Sequence, residues 1–124
     1  MPITKEELNP HNYPMTEQQK MLFEWLLVAM NQVRNKYGKP MIVTSGFRSK
    51  EDQERINPTV KNSAHMMAAA CDINDPDKNL WGWCLDNLDF IAKCGLYLEN
   101  RLSHQRHVHF QVIAPESKMR IFNP

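Results

Sequence analysis

The sequence predicts an α+β fold in which helices cover one face of a small, largely antiparallel sheet and a polar site occupies the other. Two long stretches of helical period and several short apolar runs carry this reading. Residues 1–15 contain Pro2, Pro10 and Pro14 without periodicity and read as a surface arm, leaving 16–124 as a single domain. Thr16 and Gln19 have the spacing of a capping box. After them Met21, Leu22, Trp25, Leu26, Ala29, Met30 and Val33 recur at helical spacing until Gly38 closes the helix. That Met and Trp stripe is expected to be core. Residues 41–44 form a short strand, and Ser49 caps a polar helix over 50–56 with Asp52 placed to return the cap. Asn57-Pro58 ends that helix and opens the loop that delivers His65. Residues 66–73 are ambiguous by pattern, because a run of alanines suits a helix better than a strand. Asp75-Pro76-Asp77 reads as a turn. Residues 79–93 form a second amphipathic helix, with Leu80, Trp83, Cys84, Leu88 and Ile91 inward and Gly95 ending it. A strand over 96–99, a polar hairpin loop over 101–106 and a partner strand over 107–113 complete the chain.

The bulk numbers are those of an ordinary globular domain. A chain of 124 residues with 42% hydrophobic and 23% charged residues is long enough for one core. A net charge of +1 gives no bulk reason to expect nucleic acid or a lipid surface as partner. No stretch approaches the roughly 18–20 apolar residues of a membrane span. The first residues lack the basic and apolar regions of a secretory signal, so the chain is expected to be made in the cytoplasm; it is also expected to be a monomer. Cys71, Cys84 and Cys94 are an odd number with no Cys-x-x-Cys pair, which points to buried reduced thiols.

The chemistry concentrates in His65, Asp72 and His109. Two imidazoles and one carboxylate are what a catalytic zinc ion takes, with its fourth position left for water. In His107-Val108-His109 the two histidines are spaced by two in a β-branched run, so both rings leave one face of a strand. His-x-His alone is weak evidence in a chain with 5 histidines.

The longer strings are more specific. Ser63-x-His65, followed by Ala70-x-Asp72 and then by His107-x-His109, resembles the zinc peptidases that group D-alanyl-D-alanine peptidases with lysostaphin-type enzymes and hedgehog domains. Thr44-Ser45-Gly46-Phe47-Arg48-Ser49 matches the Ser-Gly-Tyr/Phe-Arg string of the peptidoglycan-cleaving members. The likeness covers about residues 16–114 and is greatest to short phage-type D-Ala-D-Ala carboxypeptidase or endopeptidase domains. Three positions depart from the family pattern. Ala68 stands where the family has glycine, so a positive φ there would be strained. His107 and Arg106 stand where relatives carry tryptophan or glutamate before the last ligand.

The resemblance implies that 70–73 is a central strand with Asp72 at the site, and that His65, Asp72 and His109 hold Zn²⁺. Glu99, which ends a strand before the loop to His109, is the expected catalytic base, against a solvated strand-end glutamate. Asp86 and Asp89 fall on the polar side of a helix. His107 either hydrogen-bonds the oxyanion beside the metal or is a surface replacement of tryptophan. Arg48 has a planar fork suited to a substrate carboxylate, against a structural bridge to Asp52. Ser63 either binds substrate or stabilises the loop before His65. The implied function is a zinc-dependent peptidase that cleaves bonds next to D-Ala in peptidoglycan stem peptides, as carboxypeptidase or endopeptidase. It would serve phage or prophage lysis and act on the bacterial wall. A zinc-binding interaction module without hydrolysis, or a virion or tail component with this fold, are the alternatives.

Overall fold

The computed structural model describes residues 2–56 and 63–124; the expected helix break at Asn57-Pro58 lies outside them. Its elements are α1 (Lys5–Leu8), α2 (Glu17–Tyr37), β1 (Val43–Ser45), α3 (Lys50–Ile56), a 3₁₀ turn (Ala64–Met67), β2 (Ala70–Asn74), α4 (Asn79–Asp86), α5 (Leu88–Lys93), β3 (Tyr97–Glu99), β4 (His107–Gln111) and β5 (Ile121–Phe122). The strands form one sheet in the order β1-β2-β4-β3-β5. Every pairing is antiparallel except the parallel β3–β5 edge, which the sequence reading did not foresee.

Alternation along β2 and β4 divides the sheet into two chemistries. Cys71, Ile73, Val108 and Phe110 point to one face and join a core that includes Leu26, Met30 and Val33 of α2, with Leu80, Cys84 and Ile91 of the later helices. Asp72, His107, His109 and Gln111 point to the other face. Burial pushes the Cys71 thiol up and that of Cys84 to about 12, as expected of neutral core thiols. Among the described residues no helix is long and apolar enough to cross a membrane.

Local chemistry fixes the element ends. Thr16 and Gln19 close their capping box, and Gly38 ends α2 at φ 74°. Ser49 Oγ accepts from the Asp52 amide at 3.1 Å at the start of α3. α2 departs from its expected inward stripe, because Met21 and Trp25 are 53% and 58% exposed. The buried set is Leu22, Phe23, Leu26, Ala29, Met30 and Val33. At 100° per residue Met21 and Trp25 fall about 100° or more from the centre of that stripe. The expected helix over 79–93 is two helices, broken at Asn87, which leaves helical geometry at φ −123° and ψ 31°.

The first fifteen residues are not a loose arm. Thr4 and Glu7 make a capping box for α1, and Ile3 and Leu8 are buried in the core at 3% and 0% exposure. Phe47 N–H donates to the Leu8 carbonyl at 2.7 Å. A Cβ on Gly46 would sit 2.1 Å from that same oxygen, so only glycine lets the two segments pass.

Asp75 ties three elements together. Its carboxylate accepts from Leu80 N–H at 2.9 Å and Trp81 N–H at 3.0 Å, at the start of α4. Its amide donates to the Arg106 carbonyl, and its own carbonyl accepts from Arg101 Nη2 at 2.5 Å. Arg101, at the start of the expected polar hairpin loop, is buried, with Nε 3.6 Å from the Asp75 carboxylate. The loop between β3 and β4 therefore closes on Asp75 at both ends. Asp75→Ala should destabilise the protein by about 3–5 kcal/mol, because it strands a buried guanidinium. The urea midpoint measures this; an unchanged midpoint would mean that Arg101 has another partner.

Candidate metal centre

Asp72 pairs with His109 directly across the β2–β4 ladder, so one strand register places a carboxylate against an imidazole. His65 comes from the 3₁₀ turn that precedes β2. Ser63 starts that turn by accepting from the His65 amide at 3.2 Å, and Ala68 ends it in the left-handed region at φ 60°. The chain thus keeps the glycine-type backbone at Ala68, at a cost of roughly 1–2 kcal/mol.

The ligand atoms of His65, Asp72 and His109 lie within 4.8 Å of one another. His65 Nε2 is 3.3 Å and His109 Nδ1 3.0 Å from Asp72 Oδ1. Tetrahedral zinc with bonds of about 2.0–2.1 Å separates its ligands by about 3.3 Å, so the donor set fits that ion. The outer nitrogens fit it too. His65 Nδ1 lies 2.8 Å from the Gly46 carbonyl and His109 Nε2 2.7 Å from Gln111 Oε1. Gln111 Nε2 donates to the Ile113 carbonyl at 2.8 Å, which turns its oxygen toward the ring. Both outer nitrogens therefore carry the proton, and Nε2 of His65 and Nδ1 of His109 are left to bind a metal.

The electrostatics follow from the same contacts. Burial pushes the Asp72 carboxyl up, but the bonds to His109 and His65 outweigh it and hold the group far below the usual carboxylate range. Burial pushes His109 down, and its bonds to Asp72 and Gln111 reverse that, so its net shift is upward. His109 sits between two acceptors, Asp72 Oδ1 and Gln111 Oε1, which is the cause of its upward shift. A metal ion held at Nδ1 would have to displace any proton there.

The other expected site residues are placed as follows. His107 shares the face of His109, with Nε2 3.9 Å from Asp72 Oδ2 and a side chain one-third exposed. The β3–β4 register runs from Tyr97–Gln111 through Leu98–Phe110, bringing Glu99 next toward His109 on that face. Its charge acts on both His109 and Arg48. Arg48 does not bridge to Asp52, which is taken by Tyr13 and Arg55. It lies 3.6 Å from Asp72 Oδ2, with Nε donating to Ser45 Oγ and Nη1 to Gln53 Oε1, both at 3.0 Å. Its nitrogens are engaged by the protein, and the buried Gln53 holds it there. Asp86 and Asp89 are exposed on their helices, and Arg106 is also exposed.

The sequence reading missed Gly46, Gln53 and Gln111 as supports of the site. Gln111 had a signal, since it stands two residues beyond His109 on the same strand face. Gly46 stood inside the Ser-Gly-Phe-Arg string, but its contact with His65 crosses from another segment; Gln53 meets Arg48 from the following helix, and no pattern marks it.

A buried His-Asp-His cluster on the polar face of an α+β sheet is a donor set that could hold a single metal ion. The family model of peptidase M15 matches residues 4–111, and the chain belongs to that family. This agrees with the resemblance to the D-Ala-D-Ala peptidase-like metallopeptidase group. Among solved structures the fold is similar to that of Serratia marcescens L-Ala D-Glu endopeptidase ChiX. The TM-score is 0.53, with 15% identity over 86% of this chain and 95% of that one. No curated protein matches the chain.

Zinc affinity should rise with pH until His109 has lost its proton, by up to about tenfold per pH unit for each proton released. The upward shift of His109 extends that dependence above the ordinary histidine range. Gln111→Leu should weaken zinc binding by about ten- to a hundredfold. Competition against a chelator across pH checks both; a pH-independent Kd would show that the imidazoles are not ligands.

Proposed function

We propose that the protein is a zinc-dependent peptidase that hydrolyses peptide bonds next to D-Ala in peptidoglycan stem peptides. The observation that carries this is the convergence of His65, Asp72 and His109 with Glu99 on the same sheet face, in a peptidase M15 chain. Zinc held by the three ligands would acidify a water and polarise a peptide carbonyl. Glu99 accepts the proton of the attacking water and returns it to the leaving amine. His107, beside Asp72 and partly open to solvent, donates a hydrogen bond to the developing oxyanion. Arg48 holds Asp72 Oδ2, which leaves Oδ1 for the metal. Ser63 supports the His65 turn. The phage or prophage lysis setting follows from the resemblance to the short phage-type domains.

Muropeptide hydrolysis that stops with chelator and returns with zinc would distinguish this reading from a non-catalytic zinc module or a virion component. His65→Ala and Asp72→Ala should each lose the metal, checked by elemental analysis. Glu99→Gln should keep the zinc and lower turnover by about a hundredfold or more; unchanged turnover would move the base role elsewhere.

Arg48→Ala should weaken zinc binding, because Asp72 loses its fixed counter-charge. It should not discriminate between substrates with free and amidated C-termini. Chelator competition and kcat/KM on the two substrates check this. A loss confined to the free-acid substrate would instead assign Arg48 to substrate recognition.

A further inference from the structure

β5 lies outside residues 4–111, the span matched by the family model, yet it reaches the face that carries the site. In the parallel β3–β5 ladder Leu98 pairs with Ile121 and Glu99 with Phe122, so Arg120 falls beside Tyr97. Tyr97 is paired in turn with Gln111, the residue that holds the His109 ring. Side-chain contacts agree with the register. The Phe122 ring meets that of His109 at 6.1 Å and 87°, edge to face. The Arg120 guanidinium lies 4.1 Å above the centre of the Tyr97 ring. Its Nη1 donates to the Leu96 carbonyl at 2.8 Å.

No acidic side chain pairs with Arg120 among the described residues. A guanidinium stacked on a ring and tied by one nitrogen is already oriented, and its remaining N–H groups keep the planar fork that fits a carboxylate. Arg48, the other cation of this region, has its nitrogens engaged around Asp72. β4 and β5 are two ladder spacings apart, roughly 10 Å, which an extended peptide covers in about three residues.

We propose that Arg120 on its Tyr97 platform, with Phe122 as the apolar wall between it and His109, forms a substrate subsite for a carboxylate. That carboxylate is carried within about three residues of the scissile bond. The subsite rests on the peptidase reading above and gives it a specificity: an acidic peptide. In a stem peptide the carboxylate is either that of the D-Glu α-carbon or that of the chain end, and the two present the same chemistry.

The test uses the zinc-loaded wild type, Arg120→Ala and Arg120→Lys on L-Ala-γ-D-Glu-L-Lys-D-Ala in three forms: unmodified, amidated at the D-Glu α-carboxyl, and amidated at the C-terminus. One of the two amidations should lower wild-type kcat/KM by about ten- to a hundredfold, chiefly through KM. It thereby identifies the source of the carboxylate. Arg120→Ala should be equally poor on the acid and on that amide, Arg120→Lys should recover part of the preference, and zinc content should stay at the wild-type level. Wild-type indifference to both amidations, or an equal loss on all three forms in Arg120→Ala, overturns the subsite. Calorimetric binding of the same peptides to Glu99→Gln, with and without Arg120→Ala, reads the subsite without turnover. A preference for the acid that vanishes with Arg120→Ala supports it even where no peptide is cleaved, a result that would count against the peptidase reading alone. Equal binding of all three forms overturns it.

Discussion

The Asp72 carboxylate is almost entirely removed from water, and an isolated anion in that position would take up a proton rather than stay charged. It stays ionised because His109 and His65 meet one of its oxygens, and Arg48 and His107 approach the other. Each of those groups is in turn held by something else. His109 is held by Gln111, His65 by the Gly46 carbonyl, and Arg48 by Ser45 and Gln53. The site is therefore a fully connected polar network, the condition under which a buried charge rigidifies its surroundings instead of destabilising them.

That network sets demands on parts of the chain far from it in sequence. Gly46 must offer its carbonyl to His65 while passing within contact of Leu8, so the N-terminal segment is packed into the core. The β2–β4 register must bring Asp72 opposite His109, since a slip of one strand by one residue would turn its member of the pair into the apolar core. Beyond the strand ends, Asp75 and Arg101 lock the loop that joins Glu99 to His107. The loop is long enough to move, and its closure on Asp75 at both ends keeps the strands on either side at fixed height.

The departures from the family pattern take on physical meaning here. Ala68 adopts the left-handed conformation that glycine would take without strain, and the turn that aims His65 survives the substitution. Arg106 contributes its carbonyl to Asp75, and its side chain is exposed, so a base three residues before the last ligand is absent here. Glu99, reached through the β3–β4 hairpin, adds a second acidic group beside Asp72 on the site's own face.

The sequence by itself determined the parts whose cause is local. The capping box at Thr16, the glycine ends at Gly38 and Gly95, and the shared face of His107 and His109 follow from near neighbours along the chain. The ordered motifs also named the three residues that converge, because donor types that suit one metal are chemistry and not geometry. Only the tertiary structure decided which stripe of α2 is buried, that Arg48 faces Asp72 and not Asp52, and that Ile3 and Leu8 of the N-terminal segment belong to the core. It alone brought β5 alongside β3, putting Arg120 and Phe122 on the site's face. The physical reason is common to all of these. Each depends on a contact between segments distant in sequence, where burial and charge are settled by what the fold places opposite and no periodicity records it.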